Sequence, residues 1–230
     1  MGFYDQLARY YDEIFPFKEE TYQFLRKNVT VGRVLDVGCS TGIYATRLNE
    51  DDQLLVKGID LNKKAIELAK KRVGSASFEV EDMRNIDDKN VYNLIYSIGN
   101  TIVHLNNYDE IKNSVKKMLT ALKKDGKLII QVVNYARIFK QLISELPLIT
   151  TKHVKFSRFY QRKDGKILFK SVIKTKMDKF NSEVLLYPLT KAEIEMLIEA
   201  LNAKATFYGS FNGEPYSDQS FHLIAVIEKK

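Results

Sequence analysis

The chain has 230 residues, 45% of them apolar, which supports one large domain with an insertion rather than two independent domains. Its single cysteine, Cys39, excludes an internal disulfide and a Cys-based zinc cluster, and it fits a reducing compartment. The net charge of +7 is concentrated: residues 151–180 carry ten basic and two acidic side chains, leaving the rest nearly neutral.

The N-terminal segment "MGFYDQLARYYDEIF" has no basic-then-apolar leader pattern, and no apolar run is long enough to span a membrane. A cytoplasmic protein is expected. The segment itself reads as an amphipathic packing helix that can double as a lid. Five short runs rich in Val, Ile and Leu then follow: "RVLDVG" (33–38), "LLVKGID" (54–60), "SFEV" (77–80), "YNLIYSIG" (92–99) and "GKLIIQVVN" (126–134). Helical patterns separate them at 41–50, 62–73 and 108–123. In the last, Ile111, Val115, Met118, Leu119 and Leu122 recur at helical spacing. Near-continuous apolar strands alternating with helices predict a doubly wound α/β fold with a parallel sheet covered on both faces.

After Pro147 the pattern changes to β composition around Asp164-Gly165, a hairpin signal. Ile167, Phe169, Ile173 and Met177 are expected on one strand face, and Lys166, Lys170, Lys174 and Lys176 on the other. "EVLLYPL" reads as a third strand. "TKAEIEMLIEALN" (190–202) is a helix with Thr190 as N-cap and Glu193 completing a capping box. "KATFYGSF" and "FHLIAVIEK" close the chain as strands. The expected organisation is an α/β domain over 1–148, a small antiparallel β insertion over 149–188, and completion of the α/β domain over 189–230.

"VLDVGCSTGIYATRL" (34–48) marks the first strand-to-helix turn. Gly38 and Gly42 let the backbone approach a ligand, and the helix N-terminus offers N–H groups suited to a phosphate, a carboxylate or a ribose. The bland alternative is a tight turn. Asp60 ends the second strand, 18 residues after Gly42, where a carboxylate can accept both hydroxyls of a ribose or cap the helix starting near Asn62. Asp82 lies in "EDMRN" at the same sheet edge and can accept an adenine amino group, with Met83 against the ring face. A dinucleotide fold would carry G-x-G-x-x-G; here Ser40 stands between the two glycines.

These stretches, "LDVGCSTG", "GIDLN", "EDMRN" and "YNLIYSIGNTIVHL", resemble in order and spacing the motifs of class I S-adenosylmethionine-dependent methyltransferases. The resemblance implies a Rossmann-like seven-stranded sheet with the last strand antiparallel. It also implies S-adenosylmethionine as cofactor and S-adenosylhomocysteine as product. The implied cofactor residues are Gly38, Cys39, Ser40 and Gly42 near the methionine part, Asp60 with Leu61 at the ribose, Asp82 and Met83 at the adenine, and Ser97. "GNTIVHL" (99–105), "VNYARI" (133–138) and "YDQLARYYD" are similar to segments of the glycine N-methyltransferase-like branch. That similarity implies Asn100, His104, Asn134 and Tyr135 around the acceptor, and Tyr11 in a segment closing over cofactor. Val133 stands where glycine-methylating members of that branch place a carboxylate-binding Arg, which argues against glycine as acceptor.

Methyl transfer from a sulfonium needs alignment and, for an amine or hydroxyl acceptor, removal of a proton. His104 is the economical base; its alternative is a helix-start histidine bonded to backbone. Cys39 contributes through its backbone N–H rather than its sulfur. His153 and His222 lack ligand-like spacing, so no metal is expected. The lysine face reads as a solvated strand face blocking edge pairing, in preference to a nucleic-acid surface. The expected activity is methylation of a small-molecule acceptor at N or O. A non-catalytic cofactor-binding regulator, or transfer to RNA or protein, is the alternative.

Overall fold

Runs of aliphatic residues buried on both faces make the strands of the larger sheet. The computed structural model describes residues 3–72 and 76–230. Its elements begin with α1 (Phe3–Ile14), α2 (Glu19–Arg26), β1 (Gly32–Val37), α3 (Ile43–Leu48), β2 (Leu54–Asp60), α4 (Lys63–Ala69), β3 (Ser77–Val80) and β4 (Tyr92–Ser97). They continue with α5 (Tyr108–Ala121), β5 (Leu122–Val133) and α6 (Tyr135–Lys140). Four strands follow: β6 (Glu145–Thr150), β7 (Lys155–Lys163), β8 (Lys166–Lys174) and β9 (Lys179–Leu186). The chain closes with α7 (Lys191–Ala200), β10 (Ala203–Tyr208) and β11 (His222–Lys229).

The larger sheet has the order β3-β2-β1-β4-β5-β11-β10. Strands β1 to β5 run parallel, and β11 is antiparallel to both β5 and β10. This is the expected seven-stranded sheet with its last strand reversed. On one face Leu35, Val37, Ile95, Leu128 and Ile130 pack against Ile111, Val115 and Met118 of α5 and Ile194 and Leu197 of α7. On the other, Val34, Leu94, Tyr96 and Ile129 pack against Phe24 and Leu25 of α2 and Ile66 and Ala69 of α4. Truncating one such side chain, as in Leu94→Ala, is expected to cost about 2–5 kcal/mol.

The expected helix 62–73 is regular only to Ala69, and Val73 lies outside the described residues. Helices α2 and α6 and strand β6 are additions to the sequence reading; each is short, and α2 carries no side-chain cap to announce it. The capping box at Thr190 and Glu193 forms.

Strands β6-β7-β8-β9 make a separate antiparallel sheet. It starts at Glu145, ahead of the boundary expected at 149, and Pro147 sits in its edge strand. Across its rows, Phe156, Ile173 and Phe180 lie opposite one another, as do Tyr160, Phe169 and Val184. The first row packs with Ile14 and Phe15 of the N-terminal segment. Tyr160, Ile167 and Leu186 join the core that contains Tyr135 and Ile138. The sheet therefore roofs the carboxyl edge, resting on α1 at one end and on α6 at the other. Lys155, Lys174 and Lys179 form a row on the opposite face, and Lys170 pairs with Glu183 at 3.3 Å. Met177, expected on the apolar face, is 89% exposed because the strand has already ended and Thr175–Asp178 form the turn. Among the described residues no helix is long and apolar enough to cross a membrane.

Candidate functional site

The glycine loop after β1 is a scaffold whose amides are already engaged. The N–H groups of Gly38 and Cys39 both donate to the Ile59 carbonyl, at 2.8 and 3.0 Å, and Gly42 N–H donates to Cys39 O at 2.8 Å. The Cys39 N–H, expected to be offered to a ligand, is therefore held by β2. Its buried thiol has a pKa pushed up by burial, so it is no nucleophile. Gly42 has φ 74°, and a Cβ there would stand 2.5 Å from the Phe78 ring, so both backbone and space demand glycine.

Asp60 is the best-placed carboxylate. Its Oδ2 accepts the Ser40 N–H at 2.8 Å and its Oδ1 accepts the Asn62 N–H at 2.8 Å. The helix cap expected of Asp60 is made by Asn62, whose Oδ1 accepts the Ala65 N–H at 3.0 Å. Each Asp60 oxygen thus retains a lone pair for a further donor. Burial raises its pKa, and the two backbone hydrogen bonds oppose that. Leu61, next to it, is 64% exposed.

Asp82 is less free than expected. It caps the short 3-10 turn Met83–Asn85 by accepting the Arg84 N–H, and both its oxygens bind the Arg84 guanidinium, at 2.6–3.1 Å. Hydrogen bonding to Arg84 holds its pKa below the usual carboxylate value. Met83 is partly buried against the core. Ser97, expected at the cofactor, is fully buried at the end of β4, with a hydroxyl that meets no partner.

Beyond β4 the chain turns through Gly99 and Asn100, both at positive φ (75° and 68°). The Asn100 carbonyl Oδ1 accepts the Val133 N–H at 3.0 Å, and its amide donates to the Tyr135 hydroxyl at 2.9 Å. Tyr135 is completely buried beneath it, and burial raises its phenol pKa. Asn134, expected to line an acceptor cavity, is 1% exposed and saturated. Its Oδ1 accepts from Arg137 N–H and the Tyr216 hydroxyl, and its amide donates to Ser217, Asp218 and Ser220 carbonyls. It caps α6 and tethers the 217–220 loop. His104 ends the 3-10 turn Ile102–His104; its imidazole, among the described residues, has no hydrogen-bond partner, so the backbone-bonded alternative is not what forms. Desolvation by the surrounding protein lowers its pKa, favouring the neutral imidazole.

Several participants have no role assigned to them by the sequence. Asp36, in β1, is 4% exposed beneath the loop, and burial pushes its pKa up to about 8. An acid inside "VLDV" was the available signal. Gly99 N–H donates to Gln131 Oε1 at 2.7 Å, and the Gln131 amide reaches His222 Nδ1 at 3.0 Å. Because Oε1 is accepting, Nε2 must donate, so His222 Nδ1 is the unprotonated nitrogen. A polar residue within "LIIQVV" could have flagged this.

Helix α1 crosses over the loop. The Tyr11 hydroxyl lies 3.8 Å from where a Gly99 Cβ would stand, and its pKa is raised by burial and then by Asp60. Asp12 accepts the Thr41 hydroxyl at 2.6 Å and pairs with Arg72. Glu13 accepts from Thr151 and from His153 of the roof. The helix is thus pinned to the loop on one side and to the roof on the other.

Residues 34–126 match the family model described as "Methyltransferase domain". "Putative methyltransferase YqeM" of Bacillus subtilis (strain 168) is 27% identical over 136 residues, 56% of this chain and 55% of its own. The chain spans about half the length of the curated relatives it matches. Among solved structures, an S-adenosylmethionine-dependent methyltransferase from Clostridium acetobutylicum ATCC 824 superposes with a TM-score of 0.83 at 15% identity, over 98% of both chains. The sugar N-methyltransferase KedS8 from Streptoalloteichus sp. ATCC 53650 superposes with a TM-score of 0.73 at 16% identity, covering 100% of this chain and 94% of that one. The α/β unit therefore has the Rossmann-like fold of S-adenosylmethionine-dependent methyltransferases, and its segment 34–126 carries the methyltransferase-domain sequence pattern.

Proposed function

We propose that this chain is an S-adenosylmethionine-dependent methyltransferase acting by direct transfer to N or O of a small-molecule acceptor. The observation that carries the reading is Asp60. Its two oxygens are aimed from the carboxyl edge by Ser40 and Asn62, each with acceptor capacity left, beside an uncovered Leu61. A ribose diol satisfies such a carboxylate, and an adenine ring suits the apolar surface of Leu61 and Met83. Asp82 would serve the adenine amino group only by sharing its carboxylate with Arg84. The Gly38–Gly42 loop lies against the methionine part, and Tyr11 covers it from α1.

The cofactor supplies an activated methyl group on a sulfonium, already a good leaving group. The protein's contribution is alignment and exclusion of water, which can lower a barrier by about 7–11 kcal/mol. Asn100, locked by Val133 N–H and Tyr135, presents a fixed face to the acceptor. His104, neutral and unpartnered, takes the acceptor's proton. The roof and α1 close the site. The small-molecule reading draws support from the fold shared with KedS8, a sugar N-methyltransferase.

A homocysteine-release screen over amines, amino acids, amino sugars and phenols tests the proposal, repeated with Asn100→Ala. Turnover of at least one class, reduced in the variant, is expected. Val133 predicts no robust turnover of glycine. Binding of S-adenosylmethionine without turnover across the panel would favour a non-catalytic role.

A further inference from the structure

We propose that the underside of the roof holds an oxyanion-recognition site centred on Arg158, and that the acceptor carries a carboxylate or phosphate bound there. The inference rests on the methyltransferase reading above. Arg158 lies opposite Ser171, which lies opposite Ser182, so these three make one row across β7, β8 and β9. The rows on either side are apolar and committed. Phe156, Ile173 and Phe180 pack on α1, while Tyr160 and Phe169 pack toward α6 and the core around Tyr135. The polar row is therefore the middle of the roof, between its two supports, and Ser171 at 3% exposure shows that it faces the domain.

Arg158 is half-buried and lacks a counter-ion. No ion pair forms to it among the described residues, and its Nε is buried without a hydrogen-bond partner. One terminal nitrogen donates to the Pro147 carbonyl at 2.8 Å, and the guanidinium stands 5.4 Å from the Phe156 ring centroid. Pro147 belongs to the bulge where β6 loses register with β7 between Leu146 and Ile149. Glu145 lines a cleft at the β6–β7 edge with Arg158, Ser157 and Phe159, and among the described residues it forms no ion pair with Arg158. A desolvated cation held in place and left with an open donor is costly unless something completes it. A planar guanidinium with free N–H groups is completed best by a carboxylate or phosphate. The other roof cations do not compete: Lys155, Lys174 and Lys179 share the outer face, and Arg162 is turned onto Phe139.

The test is a saturation-transfer NMR titration of benzoate, phenyl phosphate and benzamide against the full chain loaded with S-adenosylhomocysteine. The wild type should bind at least one anion roughly tenfold more tightly than isosteric, neutral benzamide. The better anion tells carboxylate from phosphate. Arg158→Gln should abolish the preference, Arg158→Lys should retain part of it, and Lys170→Gln on the outer face should leave it intact. Thermal unfolding and S-adenosylhomocysteine affinity identify a variant that has lost its fold. Equal binding of benzamide, no binding of either anion, or a preference that survives in folded Arg158→Gln would overturn the proposal. If S-adenosylhomocysteine fails to bind while an Arg158-dependent anion preference persists, the cofactor reading falls and the anion site stands.

Discussion

The two sides of the crevice spend their polar groups differently. On the β1–β2 side, backbone amides position the Asp60 carboxylate and leave it able to accept more. On the β4–β5 side, Asn100, Tyr135 and Asn134 are consumed by one another and by backbone. The first arrangement is a prepared binding group; the second is a brace that holds a strained turn at Gly99 and Asn100 in place. Under the proposed function, cofactor recognition falls to exposed valence on one side and acceptor recognition to shape on the other.

Substitutions can break this contrast. The largest effect is expected at Gly42→Ala, which combines a positive φ with overpacking against Phe78 and should destabilise the fold by about 2–4 kcal/mol in urea unfolding, with loss of S-adenosylhomocysteine binding. A change under 1 kcal/mol would mean the loop is more pliant than a scaffold.

On the brace side, His222 has a pKa lowered by burial to about 4. Between about pH 6.5 and pH 4 the unfolded chain takes up a proton that the folded chain refuses, so stability falls as pH falls through that window. His222→Asn should remove a pH-dependent penalty of about 2–3 kcal/mol at pH 4, whatever its constant offset. A parallel pair of stability–pH curves would show that the imidazole is not held neutral through Gln131.

Asn100→Ala leaves the Val133 N–H and the Tyr135 hydroxyl without their partner and should cost about 1–2 kcal/mol of stability. Its discriminating readout is functional: turnover should drop while S-adenosylhomocysteine affinity holds. Loss of that affinity would merge the two sides. The smallest effect belongs to the outer roof, where Lys170→Ser breaks an exposed pair with Glu183 and should change stability by less than about 0.5 kcal/mol.

The same contrast explains what the sequence could disclose. The β1–β2 side is local: a glycine loop, an acid ending the next strand and a helix after each are written within one short stretch, so the fold and the place of Asp60 at the end of β2 were legible. The other side depends on distant partners. Nothing near Asn134 reveals that Ser217, Asp218 and Ser220 will claim its amide, and nothing near Ser97 reveals a fully buried site. Cys39 misled for a related reason, since its N–H is taken by β2 once the strands pair. Met177 followed strand alternation past the point where the strand ends. The short α2 and α6 lack the length for a clear helical period.

Calorimetric titration of the wild type and Asp60→Ala with S-adenosylhomocysteine and with NAD tests whether Asp60 holds the cofactor ribose. Binding of S-adenosylhomocysteine and not NAD is expected. A loss of about 1.5–3 kcal/mol is expected in folded Asp60→Ala, from charge-assisted hydrogen bonds to the ribose. Preferential binding of NAD, or unchanged S-adenosylhomocysteine affinity in the folded variant, would contradict it.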